Sequence, residues 1–143
     1  MKPLPLAFLA SLLMVAPALA SANVDCSIDD KFVRFEMEAI AGRSGPIQQV
    51  HVGTIAIKPA AGRLASPQMT FDRTHIVQQW ILGSDLRLQI EVTDAAAKET
   101  VNLVISARLD SKHETYRGGY LLKIARGGKP TQFKGRIKDC VAG

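Results

Sequence analysis

The sequence predicts an all-β protein with a single antiparallel domain of about eight strands. We expect these strands to close into an up-and-down barrel, with a two-sheet β-sandwich as the alternative. Three observations predict this class. Apolar and polar residues alternate with a period of two along most of the chain, short turn-forming stretches separate the alternating segments, and no stretch offers the amphipathic helix that the crossovers of a parallel sheet require.

The first residues have the features of an export signal. Lys2 supplies a positive start, residues 4–15 are apolar, and two small-x-small motifs end at Ala20 and Ala22. We predict cleavage after Ala22, so that residues 1–22 are removed and residues 23–143 form one domain. The apolar run is shorter than the roughly 20 residues of a spanning helix, so we expect no transmembrane segment in the mature form. The protein is therefore predicted to be exported, to a bacterial periplasm or the extracellular space.

Two cysteines, Cys26 and Cys140, remain after the signal. An oxidising compartment makes a disulfide between them the expected state. A metal site on the two thiolates would lack two further ligands at a workable spacing. Because Cys26 precedes the first predicted strand and Cys140 follows the last, a disulfide favours an even number of strands, as in an eight-stranded barrel. A sandwich with adjacent terminal strands fits nearly as well.

The predicted strands follow from the alternation and the turns between them. In chain order they are FVRFEMEA (32–39), VHVGTIAI (50–57), the weak SPQMTFD (66–72), HIVQQWIL (75–82), DLRLQIEVTD (85–94), TVNLVISARL (100–109), GYLLKIA (119–125) and TQFKGRIKD (131–139). The clearest inward-facing sets are Val33, Phe35 and Met37; Leu86, Leu88, Ile90 and Val92; and Val101, Leu103, Ile105, Ala107 and Leu109.

Two of these strands are less regular. Gly53 indicates a bulge that shifts the inward register of its strand. In HIVQQWIL, Ile76 and Trp80 oppose Val77 and Ile81, so the inward face is ambiguous. Trp80 is the only tryptophan, and we expect it in the core or at a barrel mouth. If Val77 and Ile81 face outward instead, they form an apolar spot that a partner could cover.

Catalytic and metal motifs are absent from the sequence. The three histidines His51, His75 and His113 have no H-x-H or H-x3-H spacing, and surface positions are the better interpretation. Glu36 and Glu38 share one strand face, as a glycosidase pair could, but alternation with apolar residues indicates a solvated outer face. We therefore expect neither a metal nor a cofactor, and lean against an enzyme.

Charge is distributed unevenly along the chain. Residues 23–107 contain eight basic and ten acidic residues, whereas residues 108–143 contain nine basic and three acidic ones. Lys134, Arg136 and Lys138 alternate with apolar residues and should project from one strand face over roughly 13–14 Å. Two further cations, Lys123 and Arg117, belong to the preceding segment. Solubility alone explains a polar face, but not one that is almost wholly cationic.

The first functional hypothesis is an exported, non-enzymatic binding or accessory module. Its basic C-terminal sheet face would bind an anionic partner: a lipid headgroup, a polysaccharide or an acidic protein. The predicted binding residues are Lys123, Lys134, Arg136, Lys138 and Arg117. The alternative is a lipocalin-like carrier with a small apolar ligand in the barrel interior, and a hydrolase is less favoured. Nucleic acid is not expected, because the compartment is wrong and no aromatic residues interleave with the cations.

Overall fold

A computed structural model describes residues 21–42 and 45–143. Most of the predicted export signal lies outside this part of the chain, so cleavage after Ala22 stays a prediction. No helix in the described part is long and apolar enough to cross a membrane. The ten strands of the described residues are β1 (Ser21–Asp29), β2 (Val33–Gly42), β3 (Ile47–Ile57), β4 (Gln68–Thr70), β5 (Ile76–Leu82), β6 (Asp85–Asp94), β7 (Glu99–Asp110), β8 (Thr115–Arg126), β9 (Thr131–Arg136) and β10 (Asp139–Ala142).

The strands form two five-stranded antiparallel sheets. Sheet A has the order β10-β1-β2-β3-β4, and sheet B has the order β5-β6-β7-β8-β9. The chain passes from sheet A to sheet B through a 3₁₀ turn at Arg73–His75, and it returns between β9 and β10. Within the described residues, β4 does not pair with β5 and β9 does not pair with β10. The two sheets therefore stay separate, and the predicted closed barrel is wrong. The arrangement corresponds to the sandwich alternative.

Two strands were missing from the prediction of eight, and both carry a cysteine. Cys26 lies within β1 and Cys140 within β10, where they are direct partners across the two strands. The predicted disulfide between them is present. Placing the cysteines outside the terminal strands was wrong, and so was the count of eight. The number of strands in the described residues is even, as predicted, but an even number does not by itself produce a barrel. The alternation of Val24, Cys26 and Ile28, all buried, is the signal that identifies β1.

The alternation itself predicted the core well. The inward residues of β6 and β7 from Leu86 to Ala107 are buried, as are Val33, Phe35 and Met37 of β2, and Leu109 alone is only partly buried. Residues from both sheets form one hydrophobic cluster. Side chains therefore occupy the space between the sheets, where the carrier hypothesis required a ligand.

The bulge predicted at Gly53 occurs nearby, at a different residue. Glu38 pairs with Val52 and Ala39 pairs with Val50, which leaves His51 as the extra residue. Gly53 is required for another reason, because a Cβ atom there would lie 2.2 Å from the carbonyl oxygen of Phe71. The backbone N–H of Phe71 also donates to the carbonyl of Gly53 at 2.9 Å. The glycine thus permits close approach of the chain that leaves β4.

A partly buried contact joins the β1–β2 turn of sheet A to sheet B. The hydroxyl of Tyr120 on β8 donates to the carboxylate of Asp30, which also accepts from the N–H groups of Phe32 and Val33 at 2.8 and 3.1 Å. Gly135, the β9 partner of Tyr120, leaves room for the tyrosine ring, since a Cβ atom there would lie 2.5 Å from it. Burial and the neighbouring carboxylate raise the pKa of Tyr120.

Partial burial favours the neutral form of Asp30, but the hydrogen bonds outweigh it. Donors from Tyr120, Phe32 and Val33 hold the pKa of Asp30 below its ordinary value of 3.8. The charged carboxylate is therefore the form that stabilises the turn. The two sheets are held together at this end by a charge-assisted hydrogen bond as well as by the core.

We expect Tyr120→Phe to lower the free energy of unfolding by about 1–3 kcal/mol, because the Asp30 carboxylate loses a buried donor. Urea unfolding measures the change. Tyr116→Phe is the matched control, since Tyr116 is also buried but its hydroxyl makes no hydrogen bond within the described residues. Equal losses in the two variants would contradict the role given to the Asp30–Tyr120 contact.

We expect Asp30→Asn to destabilise the protein more at pH 7 than at pH 3. Folding lowers the pKa of Asp30, so its charge stabilises the fold above 3.8 and this contribution is lost as the pH falls through the folded-state value. The difference in unfolding free energy between wild type and variant should therefore shrink between about pH 5 and pH 2. Asp25→Asn, which removes an exposed carboxylate from β1, is the control. A difference that does not change with pH would contradict this role of Asp30.

Candidate binding face

The outer faces of the two sheets carry opposite charge. Pairing register and alternation place five carboxylates and one guanidinium on the strands of the outer face of sheet A: Asp25, Asp29, Glu36, Glu38, Asp139 and Arg34. Lys58, which follows β3, adds a second cation and contacts Asp29 at 2.6 Å. The outer face of sheet B carries six cations and three carboxylates: Arg87, Arg108, Arg117, Lys123, Lys134, Arg136, Asp85, Glu91 and Asp110. The charge asymmetry along the sequence thus becomes an asymmetry between two opposite surfaces.

Two of the arginines on sheet B are neutralised by neighbours. Arg108 contacts Asp85 at 3.3 Å, and Arg117 contacts Asp110 at 3.1 Å. The other four cations of this face, Arg87, Lys123, Lys134 and Arg136, form no salt bridge within residues 21–42 and 45–143. Three of the four lie on β8 and β9, so the uncompensated charge is concentrated at that edge of the sheet.

The structure places Lys134 and Arg136 in the predicted strand and next to Lys123, whereas Lys138 lies beyond the end of that strand. Lys134 pairs with Leu121 and Arg136 with Gly119, so both side chains lie on the outer face beside Lys123 of β8. β9 ends at Arg136, so the predicted continuation of the strand through Lys138 to Asp139 is wrong. The chain leaves sheet B there, because the backbone N–H of Lys138 donates to Ser27 of β1 at 3.0 Å.

Lys138 still lies near two of the other predicted cations. An open groove of ≈ 930 Å³, which we call the C-terminal groove, is lined by Arg117, Arg136, Lys138 and His113 among others. His113 contacts Asp110 at 2.8 Å. Hydrogen bonding from His113, with the nearby Arg117 guanidinium, holds the pKa of Asp110 below its ordinary value. Arg136 and Lys138 are therefore the two cations of the groove without a salt bridge in the described residues, whereas Arg117 is paired with Asp110.

The expectation of a core position for Trp80 is wrong. Its side chain is 55% exposed on β5, and Val77 and Leu82 are 50% and 60% exposed. The physical reason is a bulge: Ile76 pairs with Ile90 and Gln78 with Gln89, which leaves Val77 as an extra residue. One extra residue reverses the faces of all later residues in the strand, so Trp80 points outward while Ile81 packs against the core.

A glutamine occupies the inward position that the bulge creates. Gln79 pairs with the buried Leu88, and its side-chain oxygen accepts from the backbone N–H of Ile47 at 2.6 Å. That hydrogen bond joins the edge strand β5 to the start of β3 in the other sheet. The cost of placing an amide toward the core is offset by this partner, so the register that exposes Trp80 is structurally supported.

Trp80 borders a second open groove on the outer face of sheet B. This groove, which we call the Trp80 groove, has a volume of ≈ 810 Å³. Its polar lining residues are Gln78, Gln79, Gln89, Arg87, Asp85 and Ser106. Alternation in β6 already put Arg87 and Gln89 on a polar face, but nothing in the sequence joined them to Trp80.

One row of paired residues connects the Trp80 groove with the basic edge. Trp80 pairs with Arg87, Arg87 with Ser106, Ser106 with Gly119, and Gly119 with Arg136. Four strand spacings separate the ends of this row, which is roughly 19 Å. Ser106 and Gly119, in the middle of the row, have small side chains. The protein surface is therefore lower there than at Trp80 and Arg136. We call this row, with its flanking side chains, the outer trough.

The histidines do not converge. His51 is the exposed bulge residue of β3, whereas His75 and His113 lie in separate turns, each beside a local aspartate. Neither of the latter two is hydrogen-bonded to a serine within the described residues. Glu36 and Glu38 are exposed on sheet A as expected, and Glu36 contacts Arg34 at 3.2 Å. No cluster of three potential metal ligands occurs in the described part of the chain.

Comparison of the chain with protein-family models, with curated proteins and with solved structures finds no match. The fold and the charged outer face of sheet B therefore carry the functional interpretation.

Proposed function

We propose that this protein is an exported binding module that uses the outer face of sheet B to hold an anionic partner. The observation that carries the proposal is the opposite charge of the two outer faces. Both faces are solvated, and either sign of charge would keep them soluble. Solubility therefore does not require that cations gather on one sheet and carboxylates on the other.

The uncompensated cations favour direct contact with the partner. Exposed charges are screened beyond about 8–10 Å at physiological ionic strength, so their effect is local. Lys134 and Arg136 are two residues apart on one strand face, and Lys123 lies on the neighbouring strand. A partner with closely spaced anionic groups could contact all three at once. Such a patch also attracts the partner during encounter.

An exported location supports this function. The disulfide between Cys26 and Cys140 is the state expected in an oxidising compartment. Together with the predicted signal, it favours a bacterial periplasm or the extracellular space. Anionic glycans, lipid headgroups and acidic proteins all occur there, so the compartment offers suitable partners.

The two other hypotheses have less support. The lipocalin-like carrier depended on a barrel interior, whereas the core side chains of the two sheets fill the space between them. The hydrolase depended on a cleft that joins a histidine to a carboxylate and a nucleophile. His75 and His113 instead bind aspartates inside short turns, where they have a local structural role.

We expect the triple variant Lys123→Gln, Lys134→Gln, Arg136→Gln to lose most of its affinity for a sulfated polysaccharide resin. A cation near an anionic surface contributes on the order of 1 kcal/mol, so three should lower affinity about 100-fold at low salt. The salt concentration at elution measures the change, and circular dichroism checks the fold.

The matched control is Lys98→Gln, Lys112→Gln, Lys129→Gln, which removes the same charge from exposed hairpin turns. It should elute close to wild type. Equal losses in both triple variants would mean that net charge alone causes retention. Wild type that passes through the resin at low salt would overturn the proposal.

A further inference from the structure

We propose that the Trp80 groove is a sugar-stacking subsite and that the anionic partner is an acidic polysaccharide. The polysaccharide would lie along the outer trough, with a sugar ring on Trp80 and carboxylates on the cations. This inference rests on the proposed function, which it makes more specific.

Trp80 has the position that stacking requires. Its side chain is 55% exposed on an edge strand, although burying a tryptophan would stabilise the fold. The face of a pyranose ring that carries C–H groups is apolar, and it packs against a flat aromatic ring of similar width. A single exposed tryptophan beside a groove with polar side chains is thus suited to hold one sugar unit.

The polar side chains around Trp80 suit sugar hydroxyls. Gln78, Gln89 and Ser106 are neutral, and each can both donate and accept hydrogen bonds. Asp85 adds an acceptor, although it is shared with Arg108 at 3.3 Å. A hydroxyl group needs such mixed partners, whereas a bare anion needs only donors. The groove therefore favours a ligand with many hydroxyls over a simple anion.

The cations lie where the acidic groups of the same chain could reach them. Arg87 is the direct pairing partner of Trp80, and Arg136 is at the far end of the same row, roughly 19 Å away. Ser106 and Gly119 keep the centre of the row low, so an extended chain can pass over it. A short run of acidic sugar units would thus contact aromatic and basic residues together.

A lipid surface fits these residues less well. Val77, Trp80 and Leu82 could insert into a bilayer, but Asp85 and Glu91 lie on the same outer face. Insertion of the apolar side chains would take those carboxylates out of water at the interface, which is costly for a charged group. In contrast, a hydroxyl-rich polymer can hydrogen-bond to both. The charge pattern therefore favours a polysaccharide.

Trp80 itself reports on binding, because it is the only tryptophan in the chain. Purified mature protein is titrated with polygalacturonate oligomers while tryptophan emission and its quenching by acrylamide are followed. We expect a blue shift and a quenching constant lowered by about half, since a stacked sugar shields an exposed indole. Neutral dextran should leave both unchanged at equal concentration. Vesicles of phosphatidylglycerol and phosphatidylcholine should likewise leave the emission and the quenching constant unchanged.

Variants test the geometry by calorimetry, which does not need the tryptophan. Trp80→Ala should weaken polygalacturonate binding about tenfold, and Trp80→Phe should restore most of it, because a phenyl ring still stacks. Arg87→Gln should also weaken binding about tenfold. Leu82→Ala is the control, since Leu82 is as exposed as Trp80 but does not line the Trp80 groove. It should bind like wild type.

The outcomes separate this inference from the proposed function. If polygalacturonate binds through Lys123, Lys134 and Arg136 but Trp80→Ala binds like wild type, the stacking subsite is wrong and the proposed function stands. If phosphatidylglycerol vesicles shift the emission and Leu82→Ala weakens that effect, a membrane surface replaces the polysaccharide. If neither sulfated resin nor polygalacturonate binds, both proposals fail.

Discussion

The pairing of β10 with β1, fixed by the disulfide between Cys26 and Cys140, is the constraint on which the rest of the structure depends. The two cysteines are 114 residues apart, and the chain-entropy model gives roughly 4–5 kcal/mol for closing a loop of this size. Because β10 belongs to sheet A, the chain must leave sheet B after Arg136. That exit brings Lys138 to the boundary between the sheets and shapes the C-terminal groove.

The charged outer faces result from the same architecture. Each sheet gives one face to a shared core, so nearly every charged strand residue must project from the other face. The core explains why the charges are outside, but it does not explain their sign. Sheet A presents carboxylates and sheet B presents cations, and the cations lie on the same surface as the exposed Trp80. This combination is what a polymer with acidic groups and apolar ring faces would contact.

Much of the fold could be predicted from the sequence, because alternation is a local property. It identified the core faces of β2, β6 and β7, and the predicted export signal indicated the disulfide. The choice between barrel and sandwich was not accessible, since both produce the same alternation and differ only in which edges pair. The cysteine-bearing strands were overlooked, although Val24, Cys26 and Ile28 carry the period of two.

The candidate site was only half predictable. Outward positions for Lys123, Lys134 and Arg136 followed from alternation, whereas the end of β9 before Lys138 depends on the distant pairing of β10 with β1. The exposure of Trp80 depends on a bulge at Val77, and no glycine or proline in that strand marks it. Bulges of this kind are set by tertiary contacts, here the hydrogen bond from Ile47 to Gln79. The outer trough takes one central residue from each of five strands, so no single segment of the sequence shows it.

The most direct test of binding along the outer trough is a nuclear magnetic resonance titration of ¹⁵N-labelled protein (residues 23–143) with an acidic oligosaccharide. We expect the largest chemical-shift changes along the central row of the outer trough. They should occur at the Trp80 indole N–H and at the backbone N–H groups of Arg87, Ser106, Gly119 and Arg136. Amides on the outer face of sheet A, such as those of Asp25 and Glu38, should not move. Shifts that cluster on sheet A, or a spectrum unchanged at saturating ligand, would contradict this mode of binding.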